Sequence, residues 1–459
     1  MGVMKDKSAA IAALLSFIFP GLGHLYLGRR RQALVFALPA ILVAVAMGLE
    51  ALRGVDSILA YLITPSGSLT ALILILLAGG WRVVAMVDAV LIARRRTGLR
   101  APAAIFAGAL LALVFVAHGA GAYVAYTAYD AESRIFTTAG GPDGQSGTTP
   151  GTGNTGSPQP GTSGAPDATD DFQATPNVTP ATAQSRITIL LTGVDSAEQR
   201  TTALTDTLLV ISINPVDKSV VMLSLPRDIS NFPLYDGRTF TGKINSLMTW
   251  ARMHPKDMPD GPFPTLINEV GYLIGVPIHY YAAIDLQGFR RMVDAVGGVT
   301  VDNPNAINDP RYDWLDGTSG FYLKAGKVTL DGRLALAYAR SRQGVGDSDF
   351  TRAARQQQLL VALREKLSSP DMITKLPDIM KVAGDTVRTN VPTNRLEQLI
   401  GLAREVKTNA ITKYVLTYPI AYHPPTESTG GVWTLRLYMD KVAALSIKLF
   451  GSDSRYAGN

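Results

Sequence analysis

Four apolar stretches open the chain, near residues 8–28, 32–52, 68–92 and 101–128. Each approaches the ~20 residues that cross a bilayer as a helix. Because further spans follow it, the first stretch does not read as a simple cleaved leader. Pro20-Gly21-Leu22-Gly23 interrupts that stretch, which reads either as a fourth span or as a re-entrant or interfacial hairpin. Residues 131–184 turn to Gly, Thr, Ser and Pro with few large apolar side chains. Such a segment cannot bury enough surface to offset its ordering entropy, and reads as a flexible tether. From residue 186 onward, short apolar runs alternate with helical periodicity. Ile187-Thr188-Ile189-Leu190-Leu191 predicts a buried strand. Asp206 to Ile213 and Ser219 to Leu225 predict two more, joined by the turn-forming Asn214-Pro215-Val216-Asp217-Lys218. Helices are predicted over 265–274 and 286–296, with a strand at Tyr281-Ala282-Ala283-Ile284 between them. Gly297-Gly298 ends the second helix before a strand at Val299-Thr300-Val301. Another helix starts near Leu330 and a long one covers 349–367. Residues 371–459 read as two or three more helices around a strand at Tyr414-Val415-Leu416-Thr417. The pattern predicts a transmembrane region of three or four spans over 1–129, a linker over 130–185, and an α/β domain over 186–459. In that domain, helices cover both faces of a central mixed β-sheet.

Charge sharpens this division. Residues 1–129 hold 11 Lys and Arg against 4 Asp and Glu, leaving 32 against 33 for the rest. The positive balance belongs to the membrane portion, so nucleic acid is not an expected partner. The chain has no cysteine, which excludes disulfides, Cys metal sites and Cys nucleophiles. Arg29-Arg30-Arg31 and Arg94-Arg95-Arg96 with Arg100 set the orientation. With both clusters cytoplasmic, the domain after residue 128 is extracytoplasmic. Four spans would also place the N-terminus outside, against the charges of Lys5 and Lys7.

Several charged residues fall beside predicted strand ends. Asp195 follows the first strand, Asp206 starts the second, and Arg227 and Asp228 follow the third. An antiparallel meander of the three brings Asp195, Asp206 and Arg227 to one end of the sheet. Two carboxylates there suit a hard cation such as Mg²⁺; each alone also serves as a turn or cap residue. Arg340-Ser341-Arg342, if extended, points both guanidiniums one way, an arrangement that calls for an anion between them. Its alternative is a solvated surface strand. On a helix, Asp349, Arg352, Arg355 and Gln356 share about a third of the circumference, with Ser348 or Asp347 as cap. That stripe reads as a phosphate site or as an internal Asp349–Arg352 pair on a solvated face. Lys243-Ile244-Asn245 either hydrogen-bonds a loop or touches substrate. The five histidines show no metal spacing.

Taken in order, Gly193-Val194-Asp195, Thr205-Asp206-Thr207, Ser224-Leu225-Pro226-Arg227-Asp228, Lys243-Ile244-Asn245, Tyr338-Ala339-Arg340-Ser341-Arg342 and Asp347-Ser348-Asp349-Phe350 through Arg355-Gln356 form a set. The set resembles the LytR–CpsA–Psr family of cell-wall glycopolymer ligases over roughly 186–367. The resemblance implies transfer of a glycopolymer phosphate from a polyprenyl-pyrophosphate carrier to a peptidoglycan hydroxyl. It implies Mg²⁺ or Mn²⁺ on Asp195 and Asp206, and a pyrophosphate gripped by Arg227, Arg340 and Arg342. Lys243, Arg352, Arg355 and Gln356 are expected to complete the polar pocket, with Asp349 orienting them. Asp228 or Asp349 is expected to take the hydroxyl proton. It further implies that helices 265–274 and 286–296 flank a tunnel for the polyprenyl chain. Leu204 stands where many members carry an arginine; either Arg200 of the same loop reaches in or one anchor is missing. The same residues would also suit hydrolysis of polyprenyl diphosphates, or a non-enzymatic sensor of lipid-linked precursors.

Overall fold

A computed structural model describes residues 8–52, 64–97, 100–136, 185–195, 204–314, 316–344 and 346–458. The linker expected over 130–185 lies mostly outside these residues. The chain divides into two compact units, Met1–Glu132 and Ser133–Asn459.

In the first unit, helices Arg30–Leu52, Pro65–Thr97 and Ala101–Ile135 are long and apolar enough to cross a membrane. The first apolar stretch is not. It forms a ten-residue helix, Ala9–Ile18, and then Leu22–Tyr26, with Gly21 between them at φ +99°. Ten residues rise about 15 Å, half the ~30 Å of a hydrocarbon core. The stretch is therefore two short helices around a turn, neither long enough to span. His24 Nε2 lies 3.0 Å from Asp88 Oδ2 beneath it.

The second unit is built on a six-stranded mixed sheet. Its centre is the expected meander: β1 (Ile187–Asp195), β2 (Leu204–Ile213) and β3 (Val220–Leu225), each antiparallel to the next. Tyr280–Asp285 runs parallel to β1, and Val387–Thr389 is antiparallel to it at that edge. Ile411–Val415 runs parallel to β3 at the other edge. The strands alternate between two apolar layers, which is why they read as continuous apolar runs. Leu190, Leu208, Val210 and Leu223 join the core under helix Pro262–Ile274. Leu191, Leu209, Ile211 and Met222 join the opposite face, with Leu360 and Val361 of helix Asp349–Leu367. Val299–Asn303 leaves the sheet and pairs with Gly326–Leu330. A further hairpin, Ile307–Asp313 with Ser319–Leu323, was not evident from the sequence pattern.

Candidate functional site

The pairing of β1 and β2 slips by one residue at the end of the sheet. Gly193 faces Thr207, but Val194 faces Thr205, so Asp206 is an extra residue in β2. Such a bulge re-aims side chains next to it. In a regular strand Asp206 and Thr207 would point to opposite faces; here both line one cavity of about 370 Å³. Gly193 allows this closeness, since a Cβ there would meet Thr207 Oγ1 at 3.2 Å.

The cavity has a charged mouth and an apolar body. Asp206, Arg227, Arg340, Arg342, Arg352 and Gln356 line the mouth. Arg227 Nη1 donates to Asp206 Oδ1 at 2.5 Å. Burial works against the Arg227 charge, but Asp206, Asp228 and Asp349 outweigh it and hold its pKa above the ordinary value. Arg352 is 7% exposed. Burial pushes its pKa down, against the pull of Asp349 and with the repulsion of Arg227 and Arg342. Asp349 Oδ1 lies 3.1 Å from Arg352 Nη2 and 3.8 Å from Arg342 Nη1. Four guanidiniums thus meet Asp206 and Asp349, with Asp228 Oδ2 3.7 Å from Arg227 Nε and Asp285 also on the cavity wall. Among the described residues, the buried Nε of Arg227 and Nη1 of Arg340 have no hydrogen-bond partner. Buried donors left this way call for an acceptor.

The segment Arg340-Ser341-Arg342 is not extended. Asp331 caps helix Gly332–Arg340 by accepting from Leu334 N at 2.8 Å, and the apolar run 334–338 carries the helix to Arg340. The turn after it is held by Asp309, 1% exposed, whose Oδ2 accepts from Ser341 Oγ, Arg342 N and Gln343 N. Both arginines reach the cavity, one from the last helical turn and one from beyond it. Asp309 comes from the hairpin that the sequence pattern did not reveal.

Not every expected residue reaches the cavity wall. Lys243 Nζ lies 2.5 Å from Asp228 Oδ1, and Asp228 is 5% exposed behind Arg227. Arg355 turns away from the mouth: its Nη2 donates to Ser341 O at 2.8 Å and lies 3.0 Å from Asp347 Oδ1. Arg355 therefore supports the loop that carries Arg342. Gln356 lines the wall while Nε2 donates to Ala339 O. Ser348, not Asp347, caps the helix, in a capping box with Thr351.

The apolar body is lined by Leu286, Phe289 and Met292 of helix Leu286–Val296, as expected. Helix 265–274 does not line it: Leu266, Ile267, Val270 and Leu273 are wholly buried in the core on the other side of the sheet. Its place is taken by Leu359, Leu360, Leu363 and Leu367 of helix Asp349–Leu367. On that helix one stripe runs Arg352, Gln356, Leu359, Leu360, Leu363, Leu367, changing from charged to apolar over about 22 Å. This 3–4 spacing is present in the sequence and would have located the tunnel wall.

Asp195 ends β1 opposite Leu204, at the corner that holds Asp206. Arg200 lies outside the described residues. Among the described residues no group of three His, Cys, Asp or Glu gathers as a metal site. One or two carboxylates completed by substrate phosphate and water is nevertheless a Mg²⁺ donor set, and Asp206 is of the residue type it needs.

A family model described as the LytR_cpsA_psr family matches residues 160–455. The TagU polyisoprenyl-teichoic acid–peptidoglycan teichoic acid transferase of Halalkalibacterium halodurans is 32% identical over 235 residues, 50% of this chain and 70% of that protein. The TagV transferase of the same description from Bacillus subtilis is 34% identical over 204 residues, 44% of this chain and 49% of that one. The crystal structure of B. subtilis TagV superposes with a TM-score of 0.46 at 26% identity, covering 58% of this chain and 97% of that chain.

Proposed function

The chain belongs to the LytR_cpsA_psr family, and on that premise we propose that it transfers a phosphate-linked glycopolymer from a polyprenyl-pyrophosphate carrier to peptidoglycan. One observation carries the reading: buried guanidinium donors without a hydrogen bond among the described residues, Arg340 Nη1 and, with only Asp228 Oδ2 at 3.7 Å, Arg227 Nε, stand at the mouth of a leucine-lined cavity. A ligand that suits both ends has an anionic head and a long apolar tail. A diphosphate diester carries two negative charges and offers the acceptors that these guanidinium donors call for.

Arg227, Arg340, Arg342 and Arg352 hold the diphosphate oxygens, and the leucine stripe holds the polyprenyl tail. The acceptor hydroxyl oxygen forms a bond to the glycan-bearing phosphorus. The bond from that phosphorus to the bridging oxygen breaks, and its electron pair leaves with polyprenyl monophosphate. The arginines stabilise the charge that moves onto this leaving group. Among the described residues both ion pairs of Asp349 use Oδ1, which leaves Oδ2 for the hydroxyl proton. Asp228, engaged by Lys243, is the poorer base. Base assistance is worth ~10²–10⁴ in rate, so charge stabilisation and positioning lead. Asp206 and Asp195 would hold Mg²⁺, which supplies further charge neutralisation on the diphosphate.

The protein is a multi-pass membrane protein with its C-terminal unit outside the cell. Three spans with Arg29–Arg31 and Arg94–Arg96 cytoplasmic put Lys5 and Lys7 on the cytoplasmic side too. The conflict that four spans raise then disappears.

The test is reconstitution of the full chain with a polyprenyl-diphosphate glycan, with and without peptidoglycan. The expected product is phosphate-linked glycan on peptidoglycan, formed with release of polyprenyl monophosphate. Equal release without peptidoglycan, the glycan leaving as a free phosphate, would make the protein a hydrolase. No turnover would leave it a binding protein.

A further inference from the structure

Between Leu416 and Tyr438 the chain carries a row of aromatic rings that begins at the site. Phe350, the residue after Asp349, meets Tyr418 edge-on with centroids 6.4 Å apart. Tyr418 stands 6.2 Å from His423, and His423 stands 3.6 Å from Trp433. The row is fixed to the elements that carry the site. Leu416 N donates to Ser224 O in β3 at 2.9 Å. Leu435 N donates to Asp228 O at 2.9 Å, and Ser230 N donates to Leu435 O at 2.8 Å. His423 Nδ1 lies 2.9 Å from Thr434 O, which sets its ring beside Trp433.

The largest aromatics of the core, Tyr280, Tyr281, Tyr338 and Phe263, are fully enclosed. Tyr418 and Trp433 instead remain 55% and 57% exposed. Rigidly held aromatic surface left in water marks a binding surface. A sugar ring offers an apolar C–H face to such a ring and hydroxyls to its polar tip.

We propose that the row Phe350–Tyr418–His423–Trp433 is the subsite for the sugar rings of the acceptor glycan, an inference that rests on the transferase reading above. Beyond Tyr312, on the Arg340 side of the mouth, a second cavity is lined by Arg290, by Trp314 and by Arg333 paired with Asp316 at 2.8 Å. The aromatic row starts at the elements bearing Asp228 and Asp349, where a hydroxyl proton must go. A bilayer surface is the less suited partner. Among the described residues of 416–438, Val432 is the one large aliphatic side chain that is exposed.

The test uses the full chain in detergent, with Tyr418→Ala and Trp433→Ala variants and soluble peptidoglycan glycan strands as acceptor. The acceptor KM is expected to rise about tenfold or more, with kcat and the donor KM within about twofold of wild type. Trp433→Phe should restore most of the loss. Calorimetry with a β-1,4-linked N-acetylglucosamine pentamer should show the same ranking without any turnover. Unchanged acceptor KM together with unchanged pentamer affinity would overturn the subsite. Quenching of Trp433 fluorescence by bromine-tailed lipid in proteoliposomes would overturn it as well, by placing the row in the bilayer. If the pentamer binds through the row but the wild type transfers nothing, the subsite stands and the transferase reading falls. If the wild type transfers with an acceptor KM indifferent to the row, the transferase reading stands and the subsite falls.

Discussion

Arg227 and Asp206 meet across the end of the sheet, the arginine from the loop after β3 and the carboxylate from the bulge of β2. The contact aims a guanidinium that is 17% exposed into the cavity mouth. Asp206→Ala leaves Arg227 misaimed. Transfer, followed as polyprenyl monophosphate release, should fall by ~10²–10³, the loss typical of one misplaced charge-stabilising donor. Asp206→Asn should keep the aim but shift the Mg²⁺ titration to higher concentration. An unaltered titration would remove the metal from Asp206.

On the leucine stripe, Leu363→Trp fills the cavity body without touching the charged mouth. The KM for long-tailed donors should rise about tenfold or more, while donors with the shortest isoprenoid tails keep theirs. Equal effects on both would mean that the tail lies elsewhere.

Arg342 and Arg355 do different work, though both were expected to bind substrate. Arg342 has a side chain 40% exposed and lines the mouth; Arg355 is 6% exposed and pairs with Asp347. Urea denaturation should show Arg355→Ala costing about 3–5 kcal/mol, because the change breaks a buried pair and strands its partner charge. Arg342→Ala should leave the urea midpoint near wild type and abolish transfer.

Away from the site, Glu269 makes stability depend on pH. It is wholly buried, with both carboxylate oxygens 3.2 Å from Tyr235 N. Burial raises its pKa from 4.5 to about 7, with the Tyr235 N–H opposing. The folded state therefore holds this proton more tightly than the unfolded chain. Its contribution to stability is full below pH ~4.5 and is lost as pH rises to ~7, a change of about 3 kcal/mol at most. Glu269→Gln should flatten that slope when urea midpoints at pH 5 and pH 7.5 are compared.

The meander was legible because strands buried on both faces leave long apolar runs, and its turn-formers stand at Asn214–Lys218. The gathering of Asp206, Arg227, Arg340, Arg342 and Arg352 followed from strand ends and motif order. Other features did not follow, each for a physical reason. The bulge at Asp206 is a slip in pairing, invisible without the partner strand. Arg340 joins a helix because Asp331 caps it and Asp309, from a distant hairpin, captures the N–H groups beyond its end. Helix 265–274 has the amphipathic pattern of a tunnel wall and of a core helix alike; only the fold separates it from the stripe Leu359–Leu367. The turn of Arg355 away from the mouth is likewise set by Asp347 and Ser341 O, not by its place on the helix.

The most direct test is a crystal structure of the protein with a polyprenyl pyrophosphate bound. The diphosphate is expected within hydrogen-bond reach of Arg227, Arg340 and Arg342, with the tail between helices Leu286–Val296 and Asp349–Leu367. A diphosphate seated at Lys243 and Asp228, or a tail outside the leucine-lined cavity, would contradict the transferase site as described.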